Sequence, residues 1–339
     1  MIVYLFLFII LIIILAKNKK HEKFNNYKGV MITPNKFIYQ NSYFVYGNND
    51  ISKYIFKKLV KNVPIRSKIY KNTNYNLIKK ATKNNIILTS LFDFFQFRRN
   101  NKVEHLRFIC NLFYESLAII SSKKNVKTLS EIKVIYIMSK NSGEYWLLNK
   151  MKEVYKYQIK SLDSYVEIKD FPKIMKGDIN CIAVFSHHPN NDIKKIVKDN
   201  DYNLISIDKK VTKNRNTIDS NFYYKYRNDL ITTVNDPFIL ITHKDSDPKL
   251  IYGTIDYIFN NMMEIKDTKD KSIKLAINYF NSSEIFSNNN NWLELHQGVI
   301  EFFKNYGYIT NKESNLCRKL VGIKNCNNEV IRLNPYRLL

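Results

Sequence analysis

The sequence predicts an α/β protein with mostly parallel sheets covered by helices, preceded by a membrane-directed segment. Three observations carry this. From about Lys36 onward, strand-like and helix-like patterns alternate, the signature of repeated βα units. The 339 residues are enough for two ordinary α/β lobes and a sizeable core. The chain opens on a continuous apolar run of about 16 residues, "MIVYLFLFIILIIILA", followed at once by "KNKKHEK".

The elements follow in order. "KFIYQNSYFVYG" is extended, and "DISKYIFKKLVKN" places Ile51, Tyr54, Ile55 and Leu59 on one helical stripe with Asp50 as N-cap. "VPIRSKIY" is a strand, "TNYNLIKKATKN" a short helix and "NIILTSLF" a buried strand. After Cys110 come the strand "ESLAIIS", the turn "TLSEI", the strand "KVIYIMS" and the helix "SGEYWLLNKMKEVY", with Leu147, Met151 and Val154 inward. "NCIAVFS", the helix "NDIKKIVKD" and "NLISID" continue the alternation. The strand "PFILITH", the helix "PKLIYGTIDYIFNNMMEI" and the terminal helix "LHQGVIEFFKNYG" complete it, with Gly307 suited to a left-handed C-terminal cap.

At 1.5 Å per residue the N-terminal run reaches roughly 24 Å, slightly short of a ~30 Å hydrocarbon core, so it fits either a signal-peptide core or a short transmembrane signal anchor. Ala16 is followed by Lys17, Asn18, Lys19 and Lys20, a poor site for signal peptidase, which favours a retained single-pass anchor. The lysines after the run would keep the body cytoplasmic, but no basic residue precedes it, so the side of the body stays open.

A net charge of +24 suggests anionic partners, yet nearly all of it is lysine scattered along the chain, with only about nine arginines. Base and phosphate recognition favours the planar arginine fork, and neither a zinc-finger spacing nor a Gly/aromatic RNA-binding signature is present, so nucleic acid is not expected as a partner. The excess of Ile, Lys, Asn, Tyr and Phe over Gly, Pro and Ala matches AT-rich codon usage, as in some parasites, endosymbionts and large DNA viruses. Cys110 and Cys181 lie inside apolar runs and read as small buried residues; Cys317 and Cys326 could close a loop in an oxidising space or stay free thiols. His187 and His188 are adjacent and point apart on most backbones, so they read as a loop end rather than a metal site. With no Gly-x-Ser-x-Gly elbow, P-loop, His-Glu-x-x-His or dinucleotide fingerprint, no catalytic residue, metal or cofactor is nominated.

One stretch, "MSKNSGEYWLLNK", spends one of only 8 glycines where a strand ends and a helix begins. Free N–H groups at a helix N-terminus favour anions, and Gly143 would let a ligand approach the backbone. The plain alternative is that Ser142 caps the helix and Gly143 relieves a tight turn.

The order "LRFICNLFYESLAIISSKKNVKTLSEIK", "NSGEYWLLNKM", "IMKGDINCIAVFSHHPNNDI", "LISID", then "NFYYKY", "NDPFILITHKDSDPKLIYGTIDYIF" and "LHQGVIEFFKNYGYI" resembles the TAXI group of solute receptors from TRAP transporters. That group is a branch of the type II periplasmic binding protein superfamily, and the collinear likeness spans about residues 36 to 310. It implies a two-lobed fold with two crossovers: lobe I at about 36–120 and 236–310, lobe II at about 121–235, an anchor or signal segment at 1–20 and a C-terminal extension at 311–339. The resemblance further implies a small polar or anionic solute in the interlobe cleft. The family's Ser-Gly-Thr turn falls on Ser142, Gly143 and Glu144, its first-lobe Thr-Gly-Gly-Ser loop near Tyr70, Lys71, Asn72 and Thr73, and its aromatic pair on Tyr223 and Tyr224. Ser142 and Gly143 are then expected opposite Thr73 and near the tyrosine pair, and Gly143→Val is expected to weaken binding with the fold intact.

The departures from the family are specific. The glycine-rich first loop is absent, the loop at Tyr70–Thr73 has no glycine, and Glu144 puts a carboxylate beside the expected anion, where repulsion within about 4 Å costs on the order of 1 to 4 kcal/mol. Either the ligand differs or binding has been lost. The expected function is a membrane-tethered solute-binding domain, with a membrane transporter or other membrane protein as partner; the alternative is a ligand-free scaffold or interaction protein. A cleft filled by large side chains such as Tyr70 and Tyr75 would favour the scaffold.

Overall fold

A computed structural model describes residues 43–47, 50–63, 65–69, 74–162, 164–207, 215–224, 230–261, 265 and 293–305. The expected anchor, the C-terminal extension, Gly307, Cys317 and Cys326 lie outside those residues. No helix among the described residues is long and apolar enough to cross a membrane.

In chain order the elements are β1 (Tyr43–Gly47), α1 (Asp50–Asn62), β2 (Ile65–Ile69), α2 (Asn74–Ile78), β3 (Asn85–Ser90), α3 (Leu91–Arg98), β4 (Leu106–Ser121), β5 (Val134–Ile137), α4 (Gly143–Tyr155) and β6 (Gln158–Ser161). They continue with α5 (Phe171–Ile174), β7 (Cys181–Ser186), α6 (Asn191–Asn200), β8 (Asn203–Leu204), β9 (Arg215–Asp219), β10 (Leu230–His243), α7 (Pro248–Asn260) and α8 (Gln297–Asn305).

The strands form one sheet in the order β2-β1-β3-β10-β4-β7-β5-β6, with β8 beside β4 and β9 beside β10. β1 is parallel to β2 and β3, and β5 is parallel to β6 and β7, as βα repetition demands. Every antiparallel pairing among the described residues involves β4 or β10. The sheet is therefore mixed, not mostly parallel as expected. These two strands, 16 and 14 residues long, run from one half of the molecule into the other and back, against their neighbours.

Between the halves the sheet narrows. β3 pairs with β10 only from Phe238 onward, and β7 pairs with β4 only from Ser116 onward. At Tyr114–Glu115, opposite Pro237 and Asp236, only β4 and β10 pair with each other among the described residues. Pro237 lacks a donor and fits where no third strand asks for one.

Each half is covered on both faces. In the first half α1, α7 and α8 bury Ile51, Ile55, Leu59, Ile251, Ile255 and Phe302 against one face, while α2 and α3 bury Leu77, Phe94 and Phe97 against the other. At about 1.5–3 kcal/mol for each buried aliphatic side chain, the three α1 residues alone contribute roughly 5–9 kcal/mol before ordering costs. In the second half Leu117 and Ile119 of β4 face α4, and Ala118 and Ile120 face α5 and α6, the alternation a strand imposes.

Three local expectations need correction. "NIILTSLF" is not one strand: β3 ends at Ser90, which caps α3, a helix hidden by its continuous apolarity. "ESLAIIS" is only the end of β4, whose buried Asn111, Glu115 and Ser116 disguise a single long strand. Val154 points outward, 60% exposed, because Tyr155 takes the next inward place after Leu148 and Met151 and stacks on Tyr157 at 6.3 Å. Cys110 and Cys181 are buried free thiols, as expected, and burial pushes both up, Cys181 to about 12.

Candidate functional site

The α4 N-terminus is built as its sequence suggests. Ser142, extended at φ −103° and ψ 163°, caps the helix: its Oγ accepts from the Tyr145 N–H at 3.4 Å and donates to the Ser139 carbonyl at 2.8 Å. What lies against it is the chain itself. The Gly143 N–H donates to Asp93 Oδ1 at 2.6 Å. Asp93 stands in the first turn of α3, where Ser90 Oγ accepts from its N–H at 3.1 Å. Asp236, from the narrow part of β10, in turn holds the α3 N-terminus: Oδ1 accepts from the Phe92 N–H at 3.0 Å and Oδ2 accepts from the Ser90 hydroxyl. Two helix N-termini thus each receive a carboxyl from elsewhere in the chain, where the dipole favours negative charge.

This contact explains the glycine. A Cβ at position 143 would lie 2.9 Å from Phe92 Cβ, 3.1 Å from the Asp93 nitrogen and 3.2 Å from Asp236 Oδ2. Gly143 is required by the close approach of α3, so the expectation that Gly143→Val spares the fold is corrected. The seam continues through aromatic rings. Trp146 stacks on Phe92 at 4.9 Å and meets Phe95 at 5.0 Å, and Phe92 meets Phe185 edge-on at 5.7 Å. Gln96 Nε2 donates to the Lys140 carbonyl at 2.9 Å.

The carboxyl groups gather here. Asp93, Glu115, Glu144 and Asp236 are buried, Asp236 completely. Glu115 sits directly opposite Asp236 across β4 and β10. Burial, with Asp93 and Glu115 nearby, pushes the Asp236 carboxyl well above the usual carboxylate range, partly offset by its bonds from Ser90 and Phe92. Partial desolvation, with Glu167, Glu115 and Glu144 within electrostatic reach, raises the phenol of the largely exposed Tyr165. Glu144 turns toward β7, where its Oε1 accepts from the Phe185 N–H at 3.0 Å.

Of the expected site residues, the structure brings Ser142, Gly143 and Glu144 to this seam. It places Tyr223 and Tyr224 elsewhere, in the apolar cluster on the other face of the second half, so their expected closeness to Gly143 is corrected. The Tyr223 hydroxyl bonds His188 Nδ1 and accepts from the Asn190 N–H at 3.1 Å, and the Tyr224 hydroxyl accepts from the Leu204 N–H at 2.7 Å. The physical reason is that these hydroxyls satisfy main-chain donors at the α6 N-terminus and on β8. Tyr70, Lys71, Asn72 and Thr73 lie outside the described residues. Phe92, Asp93, Glu115 and Asp236 were not foreseen, although Ser90-x-x-Asp93 has the spacing of a helix-capping box. No group of three or more His, Cys, Asp or Glu placed to hold a metal occurs among the described residues.

Two α/β halves thus share two long strands, and helix N-termini meet where they join. The sequence model of the NMT1-like family matches residues 41–307, and the chain belongs to that family. No curated protein matches the chain. Among solved structures it is similar to a periplasmic transporter protein, at 10% identity and TM-score 0.47, covering 88% of this chain and 100% of that one. It is also similar to the Candida albicans CA3427 gene product, described as having the generic periplasmic binding protein fold, at 12% identity, TM-score 0.43, and 87% and 94% coverage. A third is the amino acid ABC transporter substrate-binding protein AbpA of Streptococcus pneumoniae bound to L-arginine, at 10% identity, TM-score 0.43, and 70% and 97% coverage. These likenesses are loose, and membership of the family rests on the sequence match.

Proposed function

We propose that the chain is a membrane-tethered solute-binding domain of the TAXI type whose lobes are the two halves of the sheet; the first crossing falls at about residue 115 rather than at the expected 120, which gives lobe I at about 36–115 and 236–310 and lobe II at about 116–235. Its apolar N-terminal segment holds it at a membrane, where a transporter or another membrane protein is its partner, and it binds rather than catalyses. The solute is small, polar and positively charged. One observation carries that choice: the carboxyls of Asp93, Glu115 and Glu144 gather at one buried seam, beside Asp236, in a chain whose net charge is +24. Carboxyls so placed repel an anion and attract an ammonium or guanidinium group.

Thermal unfolding of the full chain in detergent, against organic acids, neutral amino acids and cationic amino acids or amines, tests this. A solute at 100 times its dissociation constant adds about 2.7 kcal/mol. A shift with cationic compounds alone, lost in Glu115→Gln, supports the reading; a shift with organic acids overturns the charge assignment.

A second reading has its own observation. Phe92, Phe95, Trp146 and Phe185 fill the seam with packed rings, as a scaffold that has given up its solute would. Absence of any shift across the panel favours this ligand-free interaction protein.

A further inference from the structure

We infer that Asp93 is a built-in ligand, a carboxylate carried by α3 that occupies the α4 N-terminus and latches the two lobes shut without solute. The proposal rests on the two-lobed reading, not on the identity of the solute. Three features carry it. The bond from the Gly143 N–H to Asp93 Oδ1 is 2.6 Å long and joins residues 50 positions apart, with both residues buried. Its geometry is enforced, since α3 approaches so closely that only glycine fits opposite Phe92 and Asp93. The latch is also aimed from behind: Asp236 fixes Phe92 and Ser90, and Ser90 Oγ accepts from the Asp93 N–H, so the α3 N-terminus is held by bonds that do not involve α4. Gln96, one turn further along α3, makes a second bond across the seam to the Lys140 carbonyl.

A carboxylate at a helix N-terminus is what a free acid would supply there, so the chain provides its own anion and leaves no place for an outside one at Gly143. Opening the lobes then requires breaking a charge-assisted bond and exposing the rings of Phe92 and Trp146.

Hydrogen exchange on the full chain in detergent, read by mass spectrometry, tests the latch with acetate as the probe and chloride at equal ionic strength as the control. In Asp93→Ala the amides of Gly143–Trp146 should exchange at least about tenfold faster, with β4 and β7 unchanged, and acetate should restore protection. Acetate should leave the wild-type protein unaffected. Unchanged exchange at Gly143 in Asp93→Ala, faster exchange that acetate fails to reverse, or protection of the wild type by acetate would each overturn the latch. If Asp93→Ala does not fold, Asp93→Asn decides: it keeps an acceptor but loses the charge, so faster exchange at Gly143 supports the proposal and unchanged exchange refutes it. A missing thermal shift with cationic solutes would count against the solute assignment and leave these outcomes untouched.

Discussion

Asp236 and Glu115 face each other across β10 and β4, at the point where, among the described residues, the sheet is two strands wide. Asp236 is completely buried, and its carboxyl is held well above the ordinary range by burial first and by Asp93 and Glu115 after that. The sign follows from linkage. An unfolded Asp titrates near pH 3.9, so above that pH the native state holds a proton the unfolded state has lost. The contribution of Asp236 is complete below about pH 3.9 and declines as pH rises through its native pKa. Asp236→Asn should flatten this decline, being more stable than wild type at alkaline pH and no more stable in acid, as read by denaturant unfolding across pH.

His188 should act with the opposite sign. It is buried beside Tyr223, and burial, with a smaller push from His187, lowers it to about 3. The neutral ring contributes stability above about pH 6.5, and that is lost as pH falls, by up to about 1.4 kcal/mol per unit. His188→Gln should remove this acid loss between about pH 6.5 and 4 while leaving the Asp236 decline in place.

Gly143 and Gly253 make a matched pair. Alanine at 143 must displace Phe92 or Asp236, and overpacking of this kind typically costs about 1–3 kcal/mol. Gly253, inside α7 with nothing within 4 Å of its added Cβ, should gain about 0.5–1 kcal/mol as alanine from helix propensity alone. Equal effects at the two sites would show that α3 and α4 are not in contact in solution.

Alkaline carbonate extraction of the full-length chain should leave it in the membrane pellet; release into the supernatant would remove the tether from the proposed function. Glycan occupancy at Asn281, in the only Asn-x-Ser/Thr sequence of the chain, would place the body on the lumenal side.

What could be read from the sequence was local. Ser142 as a cap, the stripe of Ile51, Ile55 and Leu59, and the buried cysteines each follow from neighbours within a turn or a strand. α3 is hidden because a run of Phe and Leu has no period to read, so the strand pattern of "NIILTSLF" runs on into the first two residues of the helix that carries Asp93. The partners of the site escaped for another reason. Phe92 and Asp236 are 144 residues apart and Asp93 and Gly143 are 50 apart, and no spacing rule connects them. The glycine was noticed, but its purpose depends on a helix that only the tertiary fold brings against it.

The paired passage of β4 and β10 limits how the two ends of the molecule can move. Two separate strands of chain would form a tether, free to lengthen and swivel. Hydrogen-bonded to each other from Leu106–His243 to Ser116–Asn235, they form a ribbon that resists stretch and shear; at Tyr114–Glu115, where no other described strand flanks the pair, it twists most readily, because two-stranded sheets carry the largest twist. Movement between the ends is therefore steered into torsion about one axis, running through the narrow stretch that holds Glu115 and Asp236. A change at either carboxyl would alter the stiffness of that axle as well as the charge beside it.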